Sequence, residues 1–462
     1  MSRTFLGGAA MAVLAVPCLA DPTSPTPETL IRLNVSPAPA PRPALRYQLL
    51  PLLTEMSPGN PITNYMRCCV EHQGFFLDRE ALERREDLLV MPLKELAVRG
   101  SQDYGHVALS QADRAARLDN PDWQILTRLK ADGIGVLIPD VQQLRPVAAA
   151  LKVRFRAEVA LGRFDDAIRT AKTLFAMSRH LGEHPTFVGN LVGIAVAFQA
   201  IGPLEEMLEQ PWCPNLYWAL TNLPDPLVPL DKGAAGERVW PVWVFRDLDD
   251  KAPMSAEQIK EFIAYKDELI GNGKHVPEGE GAQGWLDART KDEAVVDAAR
   301  GRLVEYGLPQ DRLLRFPAAQ VILLDEKRAF EVLFDDLMKT LAFPAWQGEA
   351  LAATIAMNKE QVLFADALVT NVTDVRRAKA RLEQRIALLR HVEALRLYAS
   401  GHKRALPASL SEIPVPLPED PFTGKPFRYE VIGHTAHLRG TPPRGAENDP
   451  TFRVHYEVTL QK

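Results

Sequence analysis

Along most of this chain apolar residues return every three to four positions, whereas near both ends they return every second one. The first spacing is that of a helix with one buried stripe, the second that of a strand with one buried face. Asn60-Pro61 predicts a helix start, with Asn as N-cap and Pro at the first position, and Asp78 predicts another helix through about Leu89. Pro139 opens a long helix to Ala160, Gly162 stops it, and Asp165 starts the next. A third helix, Thr186 to about Gln210, is apolar on most sides and belongs at the centre, with Gly202-Pro203 expected to kink or split it. Pro211-Trp212-Cys213-Pro214 breaks the chain, and residues 222–254, rich in Pro and Trp, read as an irregular segment wrapped on the helices. Ser255-Ala256-Glu257-Gln258 is a capping box opening a helix to about Leu269. Residues 271–284 read as an exposed loop, and helices follow at about 287–306, 317–341 and 346–357. The longest helix runs from about Thr373 to Ser400, with Gly401 as its C′ glycine.

The strands lie outside this helical stretch. Phe452, Val454, Tyr456, Val458 and Leu460 alternate with Arg453, His455, Glu457 and Thr459, the clearest strand pattern in the chain. Phe427 to Val431 and Ala436 to Arg439 read as shorter strands, and Ile31, Leu33 and Val35 mark one near the N-terminus that could join them. The expected fold class is mainly α: an irregular helical body with one helical hairpin, plus a small C-terminal α+β unit with a short antiparallel sheet.

Proline usage sharpens the boundaries. Of 37 prolines, seven fall within 22–43 and six within 407–426, so both stretches are extended rather than helical. The predicted organisation is a signal peptide over 1–20, a Pro-rich arm with one strand over 21–45, a helical body over 46–365, and a long helix plus small sheet over 366–462. Residues 1–20 combine Arg3, an apolar run from Phe5 to Val16, Pro17, and small residues at Cys18 and Ala20 before Asp21. That pattern predicts export, to the periplasm or beyond the cell. The most apolar later window, Phe187 to Ile201, is interrupted by Gly189, Asn190, Gly193 and Gln199 and reads as a core helix, so no transmembrane helix is expected after signal removal.

Charge and cysteines narrow the chemistry further. The net charge of −5 becomes −6 without Arg3, which argues against nucleic acid as a partner. Beyond Cys18 the chain keeps Cys68, Cys69 and Cys213, too few for a disulfide framework; they read as buried small hydrophobes, although export would permit a pairing among them. Residues 374–397 carry Arg376, Arg377, Lys379, Arg381, Arg385, Arg390 and Arg396 against Asp374, Glu383 and Glu393. This bias reads as a solvated helix face with pairs such as Lys379–Glu383, the alternative being an interaction patch for an acidic surface, centred on Arg376, Arg377, Lys379, Arg381, Arg385 and Arg390.

Three resemblances follow from particular segments. Ala160-Leu161-Gly162-Arg163-Phe164-Asp165-Asp166-Ala167 turns one helix into the next, and residues 147–181 resemble a single tetratricopeptide-like hairpin; no second copy recurs near the 34-residue period, so no solenoid is implied. Residues 391–431, with Leu-Pro-x-Ser-Leu and then Asp-Pro-Phe-Thr-Gly-Lys-Pro-Phe-x-Tyr, are similar to the globular part of type II secretion major pseudopilins. Filament assembly is not implied, because no Gly-Phe-Thr-Leu-x-Glu segment opens a long apolar N-terminal helix. Pro41-Arg42-Pro43-Ala44-Leu45-Arg46-Tyr47, Ser57-Pro58-Gly59-Asn60, Gly162 to Ala167 and Pro214-Asn215-Leu216-Tyr217-Trp218-Ala219-Leu220 together resemble an uncharacterised exported family of planctomycete bacteria. That resemblance implies an exported, mostly helical protein and no activity.

Catalytic signatures are sparse. His180-Leu181-Gly182-Glu183-His184 has the spacing of an inverted zinc motif, which makes His180, Glu183 and His184 weak metal candidates; Gly182 inside it and Pro185 after it place the segment at a helix end instead. Gly279-Glu280-Gly281-Ala282-Gln283-Gly284 fits a dinucleotide loop only in letters, since Pro277-Glu278 precedes it and acidic residues would repel phosphate. Asp247-Leu248-Asp249 starts like a calcium loop but Lys251 and Ala252 stand where a ligand and glycine are required. No catalytic residue, cofactor site or metal site is assigned. The expected function is that of an exported non-enzymatic protein acting through protein–protein or cell-envelope contacts, with an accessory of a secretion apparatus and an unrecognised hydrolase as alternatives.

Overall fold

The computed structural model describes residues 28–99, 103–270, 281–356, 362 and 365–461. The predicted signal peptide and the first prolines of the arm lie outside these residues. The fold is mainly helical with a small sheet built from the two ends of the chain.

Local signals act where expected. Asn60 caps helix Pro61–Glu71 by accepting from the Ile62 N–H at 3.0 Å. The Ser255 and Gln258 side chains form the reciprocal capping box at 3.2 and 2.8 Å, opening Ala256–Ile270. Four helices line the larger core: α1 (Pro139–Ala160), α2 (Phe164–Gly182), α3 (Phe187–Leu208) and α4 (Ala365–Gly401). Gly162 joins α1 to α2 with φ +68°, a conformation that a side chain disfavours. Gly193 of α3 lets α2 approach closely, since a Cβ there would meet the Ser178 carbonyl at 2.9 Å.

Among the described residues, α3 is long and apolar enough to cross a membrane, but 67 % of its most apolar window is buried inside the protein. It is a core helix, touching α1, α2 and α4. Of the kink or split expected at Gly202-Pro203, the split does not occur: the helix is continuous through the buried Pro203.

Other boundaries differ from the sequence expectation. The helix predicted over 287–306 is two, Gly281–Thr290 and Glu293–Glu305, because Asp292 caps the second through the Ala294 N–H. The exposed loop expected over 271–284 yields to helix at Gly281, where Ala282 is buried; residues 271–280 lie outside the described ones. The segment 222–254 contains two short helices, Asp231–Glu237 and Val239–Val244. Gly401 is the last helical residue, and the left-handed positions fall later, at Lys403 and Arg404.

The sheet has the order β1 (Thr29–Val35), β4 (Val454–Leu460), β3 (Thr435–Arg439), β2 (Arg428–Ile432). Strands β2, β3 and β4 are antiparallel, as expected, whereas β1 pairs parallel to β4 from Thr29↔Val454 to Val35↔Leu460 and makes the sheet mixed. Its inner face, with Leu33, Val35, Ala436, Leu438, Tyr456 and Val458, joins the same apolar core as α1, α2, α3 and the C-terminal half of α4. A second core lies mainly between helices of 243–352 and takes Phe187 from the start of α3, Leu230, and Val372 and Val375 from the first part of α4.

Candidate functional site

The residues singled out by motif do not come together as a site. His180 is buried with its Nδ1 3.0 Å from the Tyr65 hydroxyl, and His184 is buried with its Nδ1 2.9 Å from Thr186 Oγ1. Glu183 turns away to Lys232 at 2.8 Å. Burial pulls both imidazoles down to about 4, so they are neutral structural groups. The three weak metal candidates lie around the end of α2 at Gly182, and each makes its own local bond.

For the cysteines the alternative of a pairing is the one that the structure replaces. Cys68, Cys69 and Cys213 are free buried thiols rather than a disulfide. Burial pushes Cys68 and Cys213 up to about 12 and raises Cys69, so none is a ready thiolate.

The basic run on α4 points inward. Arg376 and Arg377 share Glu349, with Arg376 Nη2 at 2.8 Å, and Arg376 also donates to Thr340 Oγ1 at 3.1 Å. Burial works against the Glu349 charge, yet the two guanidiniums outweigh it and hold the carboxyl below its usual range. Lys379 pairs with Glu383 at 3.4 Å. Arg381 lies over the Phe198 ring at 4.8 Å and Arg390 over the Tyr217 ring at 5.9 Å. Arg385 reaches Glu205 and donates to the Tyr456 hydroxyl at 3.1 Å. Five of the six thus tie α4 to neighbouring elements, and Lys379 pairs within α4, so these side chains are engaged inside the protein rather than spread over a solvated face.

Two other places carry more. The first is the loop Pro211-Trp212-Cys213-Pro214. Trp212 is 93 % exposed and has φ +65°, an uncommon value for a bulky residue. Both sides of it are anchored. Before it, the Gln210 N–H bonds to Met207 O at 3.0 Å. After it, Arg396 Nη2 donates to Cys213 O at 2.7 Å and Asn215 Nδ2 donates to Glu393 Oε2 at 2.8 Å. Arg396 and Glu393 form a fully buried ion pair at 2.8 Å, and Arg396 Nε also donates to Ser36 O at 2.9 Å. Backbone bonds satisfy the charges that burial would otherwise penalise, so the N-terminal arm, the loop and α4 are locked together.

The second is on the outer face of the sheet. In the register, His437 of β3 stands opposite Glu457 of β4, and His455 lies two residues before Glu457 on that face. His437 Nδ1 is 3.0 Å from His455 Nε2 and 3.9 Å from Glu457 Oε1. His455 Nδ1 is 2.9 Å from Glu28 Oε1, and Arg32 Nε donates to Glu457 Oε2 at 2.9 Å. The His455 side chain is only 5 % exposed and that of His437 12 %. No motif spacing marks these residues, although the strand alternation does place His455 and Glu457 together. The chain matches no protein-family model, no curated protein and no solved structure.

Proposed function

We propose that this is an exported, non-enzymatic helical protein that acts by contact with another protein or a component of the cell envelope. The observation that carries the reading is Trp212, a large apolar side chain held out from a loop whose ends are fixed. Tryptophan is the residue most enriched among interface anchors, and a preordered anchor loses little freedom on binding. Export is supported by the signal-like pattern of residues 1–20. Crosslinking of the full chain in envelope fractions should recover a specific partner. Trp212→Ala should weaken that association about 30-fold, the equivalent of the roughly 2 kcal/mol that defines a strong anchor. Recovery of the protein alone, or of the same partner at equal strength with the variant, would count against the reading.

A second reading, an accessory of a secretion apparatus, is favoured by the long helix α4 that leads into the pseudopilin-like segment 391–431 and by the β2–β3–β4 meander that starts at its end. It expects the captured partner to be a secretion component.

A further inference from the structure

We propose that His437, His455 and Glu457 form a binding site for one divalent metal ion of the zinc class, with Glu28 as the outer carboxylate that orients His455. Among the described residues, these three offer ligand atoms that all lie within 4.8 Å of one another. Tetrahedral zinc, with bonds of about 2.0–2.2 Å, holds its donors about 3.3–3.5 Å apart. The observed separations of 3.0 and 3.9 Å from His437 Nδ1 bracket that value, so small side-chain rotations bring the set to the geometry.

The surroundings are organised as a metal site requires. Glu28 accepts the Nδ1–H of His455, which fixes the tautomer and leaves the Nε2 lone pair facing His437 and Glu457. A carboxylate behind a ligand histidine is the usual outer partner at zinc centres. Arg32 holds Glu457 by Oε2 and leaves Oε1 for the ion. In the metal-free state the short contact between rings is then a hydrogen bond from His437 Nδ1–H to His455 Nε2. Metal entry requires His437 to carry its proton on Nε2 instead, so the Nδ1 lone pair replaces that hydrogen bond with coordination. Nothing is oxidised or reduced.

Two imidazoles and one carboxylate select a borderline ion over magnesium or calcium, which prefer all-oxygen sets. Three protein donors leave a fourth position for water or for a donor from a bound molecule. The three donors sit on adjacent paired strands, and Glu28 and Arg32 come from the opposite end of the chain. The ion would therefore tie β3 to β4 directly and reach the N-terminal strand only through the Glu28 and Arg32 side chains. This inference is independent of the Trp212 reading, and either can fail without the other.

The test is metal uptake by the full chain after chelation and desalting, with Zn2+ followed by calorimetry and Co2+ by its visible spectrum. The expected result is one equivalent per chain with nitrogen–oxygen coordination and no thiolate charge-transfer band. His437→Asn and Glu457→Gln should each weaken Zn2+ binding at least tenfold, and Glu28→Ala by about 10–100-fold. His434→Asn, an exposed histidine in the neighbouring turn, should leave it unchanged. Should a sheet variant fail to fold, the imidazole 15N shifts of the wild-type chain decide the question, because Zn2+ should move two histidine rings together. The proposal is overturned by no uptake in the folded wild-type chain, by a thiolate spectrum pointing to the cysteines, or by uptake that persists when His437 and Glu457 are both replaced.

Discussion

Buried and half-buried ionisable side chains are tuned here in two opposite directions. Burial lowers His180, His184 and His391 to about 4, and it raises Glu158, Glu237 and Glu383 to about 7. The histidines contribute stability that is complete above the ordinary imidazole range near 6.5 and is lost as pH falls towards 4. The glutamates behave in reverse. Their cost is absent below the ordinary carboxylate range near 4.5 and grows as pH rises to about 7. Glu237 tests this most cleanly, because it accepts from the Phe187 N–H at 2.8 Å and an amide oxygen could do the same. Glu237→Gln should match the wild type at pH 4.5 and exceed its stability at pH 8 by about 1–3 kcal/mol, read by urea unfolding at both values. An equal gain at both would assign the effect to packing rather than to ionisation.

Two glycines in the hairpin have different work, and substitution should separate them. A Cβ on Gly162 meets nothing within 4 Å, so the only obstacle is its φ of +68°. Gly162→Ala should cost about 1–2 kcal/mol, and Gly162→Asn should recover part of that because Asn tolerates the left-handed region. A Cβ on Gly193 would press on the Ser178 carbonyl at 2.9 Å and Leu181 Cβ at 3.0 Å, both on α2. Gly193→Ala should cost about 1–3 kcal/mol through overpacking, and the larger Asn should make it worse. Thermal unfolding of the four variants gives the contrast; similar losses for both Asn variants would refute it. The same division explains what could be read from sequence. Caps such as Asn60 and Ser255, the Gly162 turn and the alternation over 452–460 are written within a few residues, so they were legible. The parallel pairing of Thr29 with Val454 and the meeting of His437 with His455 depend on register between distant segments. The inward course of the α4 arginines was hidden for a related reason. Their partners Glu349 and Glu205 belong to other helices, and a charged helix face looks the same on paper whether water or a carboxylate awaits it.

At the scale of the whole molecule, the C-terminal sheet depends on structure from far earlier in the chain. Strand β1 covers one edge of β4 along seven paired positions. Helix α3 packs against α4 and carries Glu205, which holds both Arg385 and Tyr456. The Arg396–Glu393 pair on α4 is completed by carbonyls of Ser36, Cys213 and Pro214 and by Asn215. A fragment of residues 366–462 would keep three short strands and one helix but lose these partners. It would expose the β4 edge, leave two buried charges without the groups that satisfy them, and uncover the face of α4 that α3 occupies. Three strands and a helix can fold alone when their shared apolar face is closed, but here Tyr456, Val458, Leu388 and Leu395 lie in a core whose other wall is α1, α2 and α3. The fragment should therefore be unfolded or molten, with poor dispersion in its amide NMR spectrum and a non-cooperative urea transition. A cooperative, well-dispersed fragment would show that α4 and the meander form a self-sufficient unit. That outcome would strengthen the secretion-accessory reading, which needs the C-terminal part to work as a module, whereas an unfolded fragment leaves contact by the intact molecule through Trp212 as the better account.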